Sequence, residues 1–183
     1  MANLLDVIVN IELKKVAGTI SLGKPLIISE LAGGKDYQEF GSLEEVKEVY
    51  TGTNEAENKI VAMAEMLFMQ EHKPAKVAIA CTAPAEEGAS TPALVDLLNS
   101  VYDRDWYYLL CLDNTQDTIL ALADIVEANK RKLFVTRTST DTVLEAVNAK
   151  DYSRTVVFFH EPVGEYADAG LVGECGSRTV GEI

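Results

Sequence analysis

The segment that decides the fold is "WYYLLCLDNTQDTILALADIVEANKRKLFVT", residues 106–136. It begins with the continuously apolar run WYYLLCL, which is typical of a strand buried on both faces. Asp113 or Asn114 can then cap a helix through TQDTILALADIVEAN, and the next apolar run, KLFVT, predicts a second strand. A strand, a helix and a strand within about thirty residues form a βαβ unit, whose two strands are parallel.

The same alternation continues on both sides of this unit. Upstream, AKVAIAC (75–81) predicts a strand and PALVDLLNSVY a helix. Downstream, STDTVLEAVNA predicts a helix, RTVVFFH (154–160) a strand and VGEYADAGLVGEC a closing helix. Apolar strands that alternate with helices predict an α/β fold with a largely parallel sheet, covered by helices on both faces.

The amino-terminal part of the chain predicts a pair of β-strands and two helices. The strands are LLDVIVNIEL (4–13) and KPLIISEL (24–31), and the glycines and polar residues of AGGKDYQEFGS predict a loop after them. Ser42 and Asn54 are expected to cap the two helices, the second of which ends before Pro74. We expect residues 1–35 to form an edge or appendage and residues 36–183 the α/β domain, with one compact domain as the alternative.

Composition excludes several classes of function. Sixteen basic residues against 29 acidic ones give a net charge of −13, which argues against a nucleic-acid partner. The basic cluster at 130–132 is interpreted as a helix C-terminus. Three cysteines without a CxxC pair predict neither a disulfide framework nor a zinc site, and no apolar run suffices for membrane insertion. These features, together with an N-terminus unlike a signal peptide, predict a cytosolic-type domain.

The segment GTISLGK (18–24) has the spacing of a phosphate-binding P-loop. A P-loop requires a hydroxyl residue next and then a helix whose N-terminus faces the phosphates. Here Pro25 occupies the hydroxyl position, and a predicted strand follows it. We therefore expect a turn between two strands and no nucleotide cofactor.

Three polar residues lie at the carboxyl ends of predicted strands, where parallel α/β sheets bind their ligands: Cys81, Asp113 and His160. A cysteine nucleophile, a histidine base and an orienting carboxylate would form a hydrolase triad. Each residue also has a structural interpretation, namely a small buried side chain, a helix cap and a strand end. An α/β Cys/His hydrolase therefore stays open as the alternative function.

The order of segments resembles the contractile tail sheath proteins of phages, prophages and bacteriocin particles. The resemblance begins with the opening strand and GKPLIISE. It continues through YQEFGSLEEVKEVYTGTNEAENKIVAMAEMLFMQEHKPAKVAIA, where a short helix introduced by serine is typical of the family. It extends over 106–136, whose helix ends before a KLFF-like strand. It closes on DYSRTVVFFHEPVGEYADAGLVGECGSRT, which is similar to the family's "RT…H…Y.DAA..G" passage.

The resemblance implies a structural protein that is not an enzyme and needs no cofactor or metal. Sheath subunits form hexameric rings around a tail tube above a baseplate, and their contraction drives the tube into a cell envelope. Assembly in the bacterial cytoplasm and incorporation into a phage-tail-like particle follow from the same resemblance. Where the family commonly has Pro-Gly-Ser and then tryptophan, this sequence has CGSRTVGEI (175–183), so we expect a chain shortened relative to the family.

Overall fold

The computed structural model describes residues 23–85, 93–161 and 163–176. The strands are β1 (Pro25–Glu30), β2 (Lys35–Phe40), β3 (Val77–Thr82), β4 (Tyr108–Cys111), β5 (Leu133–Thr138) and β6 (Thr155–Phe159). The helices are α1 (Leu43–Val49), α2 (Glu55–Phe68), α3 (Ala93–Val101), α4 (Gln116–Asn129), α5 (Asp141–Asn148) and α6 (Ala167–Cys175). A short 3-10 turn, Val163–Glu165, precedes α6.

The described strands form one sheet in the order β2-β3-β1-β4-β5-β6. Only β2 is antiparallel to its neighbour, and the other pairings are parallel. Alternate residues of the strands face opposite layers: Leu26 and Ile28 pack toward α3, α4 and α5. Ile27 and Ile79 pack toward α1, α2 and α6. The predicted α/β class, with helices on both faces of a largely parallel sheet, is confirmed.

β1 lies at the centre of the sheet, between β3 and β4, and not at an edge. The expectation that this strand belongs to an edge or appendage is therefore corrected. The reason is its composition, since Leu26, Ile27 and Ile28 are all fully buried and such a strand needs cover on both faces and neighbours on both sides. The other expected strand, residues 4–13, lies outside the described residues, and an appendage there stays a prediction.

The segment KDYQEF, predicted as a loop, forms the edge strand β2. Its residues alternate between more and less exposed positions and end in the buried Phe40. An edge strand is paired on one side only, so it tolerates charged and polar residues that a central strand would exclude. The polar composition of KDYQEF therefore resembles that of a loop, although the segment is an edge strand.

Local capping chemistry sets the starts of α1 and α2 as predicted. The Ser42 hydroxyl accepts from the Glu45 N–H at 3.3 Å, and the Glu45 carboxylate accepts from the Gly41 N–H at 2.7 Å. Asn54 accepts from the Glu57 N–H at 2.9 Å. For α4 the residue at the cap position is Thr115, not the expected Asp113 or Asn114, and it makes no side-chain cap bond.

A matched pair of glycines in α6 tests how tightly this helix packs on α2. A Cβ atom at Gly173 would lie 2.9 Å from the Leu67 carbonyl oxygen, whereas at Gly170 the nearest atom is 3.7 Å away. We expect Gly173→Ala to lower the free energy of unfolding by about 1–3 kcal/mol, because α6 must move off α2. Gly170→Ala should raise it by up to about 1 kcal/mol through helix propensity. Urea unfolding of both variants measures the difference, and equal effects would contradict the close approach.

Candidate functional site

The carboxyl ends of β1 and β4 border an open crevice of about 450 Å³. This is a topological switch point of the sheet, because β3 lies on one side of β1 and β4 lies on the other. Ligands of open α/β sheets commonly bind at such a switch point. Ser29, Glu30, Asp113 and Asn114 line the strand ends, with Glu55 and Lys59 of α2 opposite them.

The crevice is acidic but holds no assembled catalytic group. Burial raises the pKa of the Glu30 carboxyl, and the negative charge of Asp113 raises it further. The Ser29 hydroxyl donates to the backbone carbonyl of Glu30 at 3.1 Å, so it is not directed at a base. Lys59 is paired with Glu55 at 2.7 Å on the surface. Among the described residues, no group of three or more acidic, histidine or cysteine side chains could hold a metal ion.

The three residues of the hypothetical hydrolase triad are spread across the sheet. Cys81 is in β3, Asp113 follows β4, and His160 follows β6. One strand separates Cys81 from Asp113, and another separates Asp113 from His160. Because neighbouring strands are about 4.8 Å apart, Cys81 and His160 are separated by roughly 19 Å along the sheet. The structure does not bring these residues together.

Each residue of that triad has a different partner. The Cys81 sulfur lies 3.6 Å from the Tyr50 hydroxyl, and burial raises the pKa of the thiol. Asp113 accepts from the Thr118 hydroxyl at 2.7 Å and from the Thr115 N–H at 3.0 Å, which ties down the start of α4. His160 Nε2 lies 3.2 Å from the Glu165 carboxylate, at the exposed end of β6. These contacts are structural.

Thiol reactivity checks the burial of Cys81 directly. Cys81 is 4% exposed and Cys111 is fully buried, whereas Cys175 is half-buried at the end of α6. Burial raises the pKa values of the Cys81 and Cys111 thiols, which leaves little reactive thiolate. We expect a thiol reagent such as DTNB to modify Cys175 first in the native protein and the other two only upon unfolding. Cys175→Ser is the control and should abolish the fast phase, while fast labelling of Cys81 in that variant would contradict the structure.

The P-loop-like segment lies mostly outside the described residues, which begin at Gly23. The element that follows it is the strand β1, starting at Pro25, as the sequence predicted. Lys24, the lysine of the motif, pairs with Glu39 at 2.8 Å and with Asp105 at 3.1 Å. Its charge is therefore engaged within the protein.

A buried ion pair that sequence reasoning missed joins β5 to α6. The Arg137 guanidinium donates to Asp168 at 2.9 Å, and both side chains are almost fully buried. The Tyr166 ring lies 4.5 Å from the guanidinium carbon. Burial raises the pKa of the Asp168 carboxyl, and Arg137 acts in the opposite direction. The two residues are 31 positions apart and lie on different elements, so no local sequence pattern predicts that they pair.

A second buried cation, Lys132, lies in an aromatic cage. Its ammonium is 3.9 Å from the Trp106 ring centroid and donates to the backbone carbonyls of Arg104 and Trp106 at 2.8 and 2.7 Å. Burial lowers the pKa of Lys132 to about 8. The basic cluster at 130–132 was expected to end a helix, and Lys130 does so as the left-handed C-cap of α4. Lys132 has a different role, because it joins the start of β5 to the segment around Trp106.

Comparison with known proteins identifies a likeness in structure. The sequence matches no family model and no curated protein sequence. The fold is similar to a solved structure of the anti-feeding prophage (AFP) helical sheath in its contracted state, with a TM-score of 0.58 and 14% identity. The match covers 94% of this chain and 52% of the sheath chain, so this chain spans about half the length of that protein.

The protein therefore has the sheath-like α/β fold that the resemblance in sequence led us to expect. No described helix combines the length and the apolar character needed to cross a membrane.

Proposed function

We propose that this chain is a structural subunit, or the α/β part of one, in the contractile sheath of a phage-tail-like particle. The observation that carries the proposal is the fold match to the AFP sheath over 94% of the chain. The proposed partners are further sheath subunits in hexameric rings, the tail tube protein and the baseplate. The proposed site of assembly is the bacterial cytoplasm.

The physical character of the domain supports this role. A sheath subunit must transmit force without deforming, and a sheet covered on both faces by helices is a rigid body. The dispersed positions of Cys81, Asp113 and His160 give the hydrolase alternative no support. The engaged Lys24 and the strand that follows it likewise give no support to nucleotide chemistry. In the proposed mechanism the work of contraction comes from the assembled lattice.

Deletion of the gene in the source bacterium tests the proposal. Particles isolated from the wild type should contain the chain in proportion to the tube protein, and antibody should label the outer wall of the tails in electron micrographs. Particles from the deletion strain should be bare tubes, and a plasmid copy should restore the sheath. Sheathed, contractile tails that persist in the deletion strain, or tails that lack the chain, would overturn the proposal.

A further inference from the structure

Helices α4 and α5 carry opposite charges at their two ends. Each helix has an exposed aspartate in its first turn, Asp117 in α4 and Asp141 in α5. Exposed bases follow the last turns, with Lys130 and Arg131 after α4 and Lys150 after α5. Neither helix contains a lysine or an arginine of its own. The helix dipole favours acids near an N-terminus and bases near a C-terminus, so the side-chain charge changes sign along each helix.

The two helices point in the same direction, so these charges form two separate surfaces. α4 connects β4 to β5 and α5 connects β5 to β6, and both strand pairs are parallel. Each helix therefore runs back from the carboxyl edge of the sheet to the amino edge, and the two helices contact each other on one face of the sheet. Asp117 and Asp141 form what we call the acidic end, and Lys130, Arg131 and Lys150 form the basic end.

The acidic and basic ends are too far apart to neutralise each other. The 14 residues of α4 span about 21 Å. That length exceeds the Debye length of about 8 Å at physiological salt. Within the described part of the chain, no hydrogen bond or ion pair engages the side chains of either end, whereas Lys24 and Lys59 are paired. The exposed Asp151 offsets one base, its neighbour Lys150, so the basic end keeps a net positive charge.

We propose that the basic end of one copy of this chain docks head to tail on the acidic end of a second copy. Charge complementarity selects this occupant, because each copy presents both charges on the same two neighbouring helices and therefore at similar spacing. The net charge of −13 disfavours a nucleic acid as the partner of the basic end.

Such a contact is heterologous, since each copy offers one end to each of two neighbours. It therefore repeats from copy to copy, and it closes into a ring when the rotation between copies allows. The inference rests on the proposed sheath function and names the surfaces through which copies would meet in its rings. Exposed charge pairs are individually weak, and repetition in an assembly multiplies their effect. We therefore expect the free chain to associate weakly and in a salt-dependent manner.

Sedimentation velocity of the full chain tests the contact. The solution should contain about 0.15 M salt, because screening limits the repulsion between copies that each carry a net charge of −13. We expect a concentration-dependent series of species that extends beyond the dimer, since a head-to-tail contact leaves one free end of each kind. Salt at about 0.5 M should weaken the association about threefold or more, because the contact depends on charge.

Two variants separate the two ends. The basic-end variant Lys130→Gln/Arg131→Gln/Lys150→Gln and the acidic-end variant Asp117→Asn/Asp141→Asn should each be monomeric, because each has lost one surface of the contact. An equal mixture of the two variants should form a heterodimer and no larger species, because a single complementary pair of ends remains. This result distinguishes a head-to-tail contact from a symmetric one, in which both copies use the same surface.

Lys47→Gln, at an exposed base of α1, is the control and should associate like the wild type. Circular dichroism confirms that each variant is folded. A wild-type chain that is monomeric at every concentration would overturn the proposal, and so would a mixture of the two end variants that stays monomeric or grows beyond a dimer. Binding of a fluorescent DNA by a chain that does not associate with itself would identify a different occupant and overturn it as well. Because these assays use free chains, their failure is distinct from failure of the sheath proposal, which the gene deletion tests.

Discussion

Asp168→Ala is expected to lower the free energy of unfolding by about 3–5 kcal/mol. The substitution leaves the Arg137 guanidinium buried between β5 and α6 without the carboxylate that it contacts at 2.9 Å. Removing the carboxylate of a buried ion pair is far more costly than breaking a surface pair, because the low-dielectric interior solvates the remaining charge poorly. Since small domains are stable by about 5–15 kcal/mol, the loss would remove much of the total.

Chemical denaturation in urea measures this effect against two controls. Glu55→Ala breaks an exposed ion pair with Lys59 and should change the stability only slightly, because solvent screens the two charges. The double variant Arg137→Met/Asp168→Leu removes both charges and should recover most of the loss, because replacing a buried pair by apolar residues is often neutral. A loss for Asp168→Ala no larger than that for Glu55→Ala would show that the pair is not buried in solution.

Trp106→Ala is expected to lower the free energy of unfolding by about 3–5 kcal/mol. Trp106 is among the largest fully buried side chains, and its Nε1–H donates to the Val101 carbonyl at 2.8 Å. Its ring meets Tyr102 edge-on at 5.6 Å and lies beneath the Lys132 ammonium. Truncation therefore opens a cavity, leaves a carbonyl without its donor and removes the cation–π contact of a buried cation.

Trp106→Phe separates these contributions. It retains most of the apolar volume and an aromatic face for Lys132, but it lacks the N–H, so we expect a smaller loss than for alanine. Met69→Ala, at an exposed apolar position of the protein surface, should fall within about 0.5 kcal/mol of the wild type. Thermal or urea unfolding followed by circular dichroism measures all three. Equal stability of Trp106→Ala and Met69→Ala would contradict the buried cage.

Local features of the fold were predictable because their causes are local. The apolar runs in 106–136 and 154–160 became β4, β5 and β6 at nearly the expected positions. Hydrogen bonds over three residues set the caps at Ser42 and Asn54, so adjacent letters suffice to predict them. The apolar run PLIIS correctly predicted that a strand, and not a phosphate-binding helix, follows GTISLGK.

The candidate site was less predictable, because strand order decides which strand ends are neighbours. Cys81, Asp113 and His160 are equivalent in the linear pattern, each at the end of a strand. In the sheet, β1 and β5 lie between them. The Arg137–Asp168 pair was missed for the converse reason, since its members are distant in sequence and meet only when α6 packs on β5.

Sequence by itself determined the α/β class and the alternation of strands and helices. These properties depend on hydrophobic periodicity and local hydrogen bonding, which the order of residues specifies directly. Only the tertiary structure decided that β1 is central and that KDYQEF and TVVFF are the two edges of the sheet that the described strands form. Strand pairing is a non-local choice, governed by which apolar faces and backbone edges can be covered together, and no single segment contains that information.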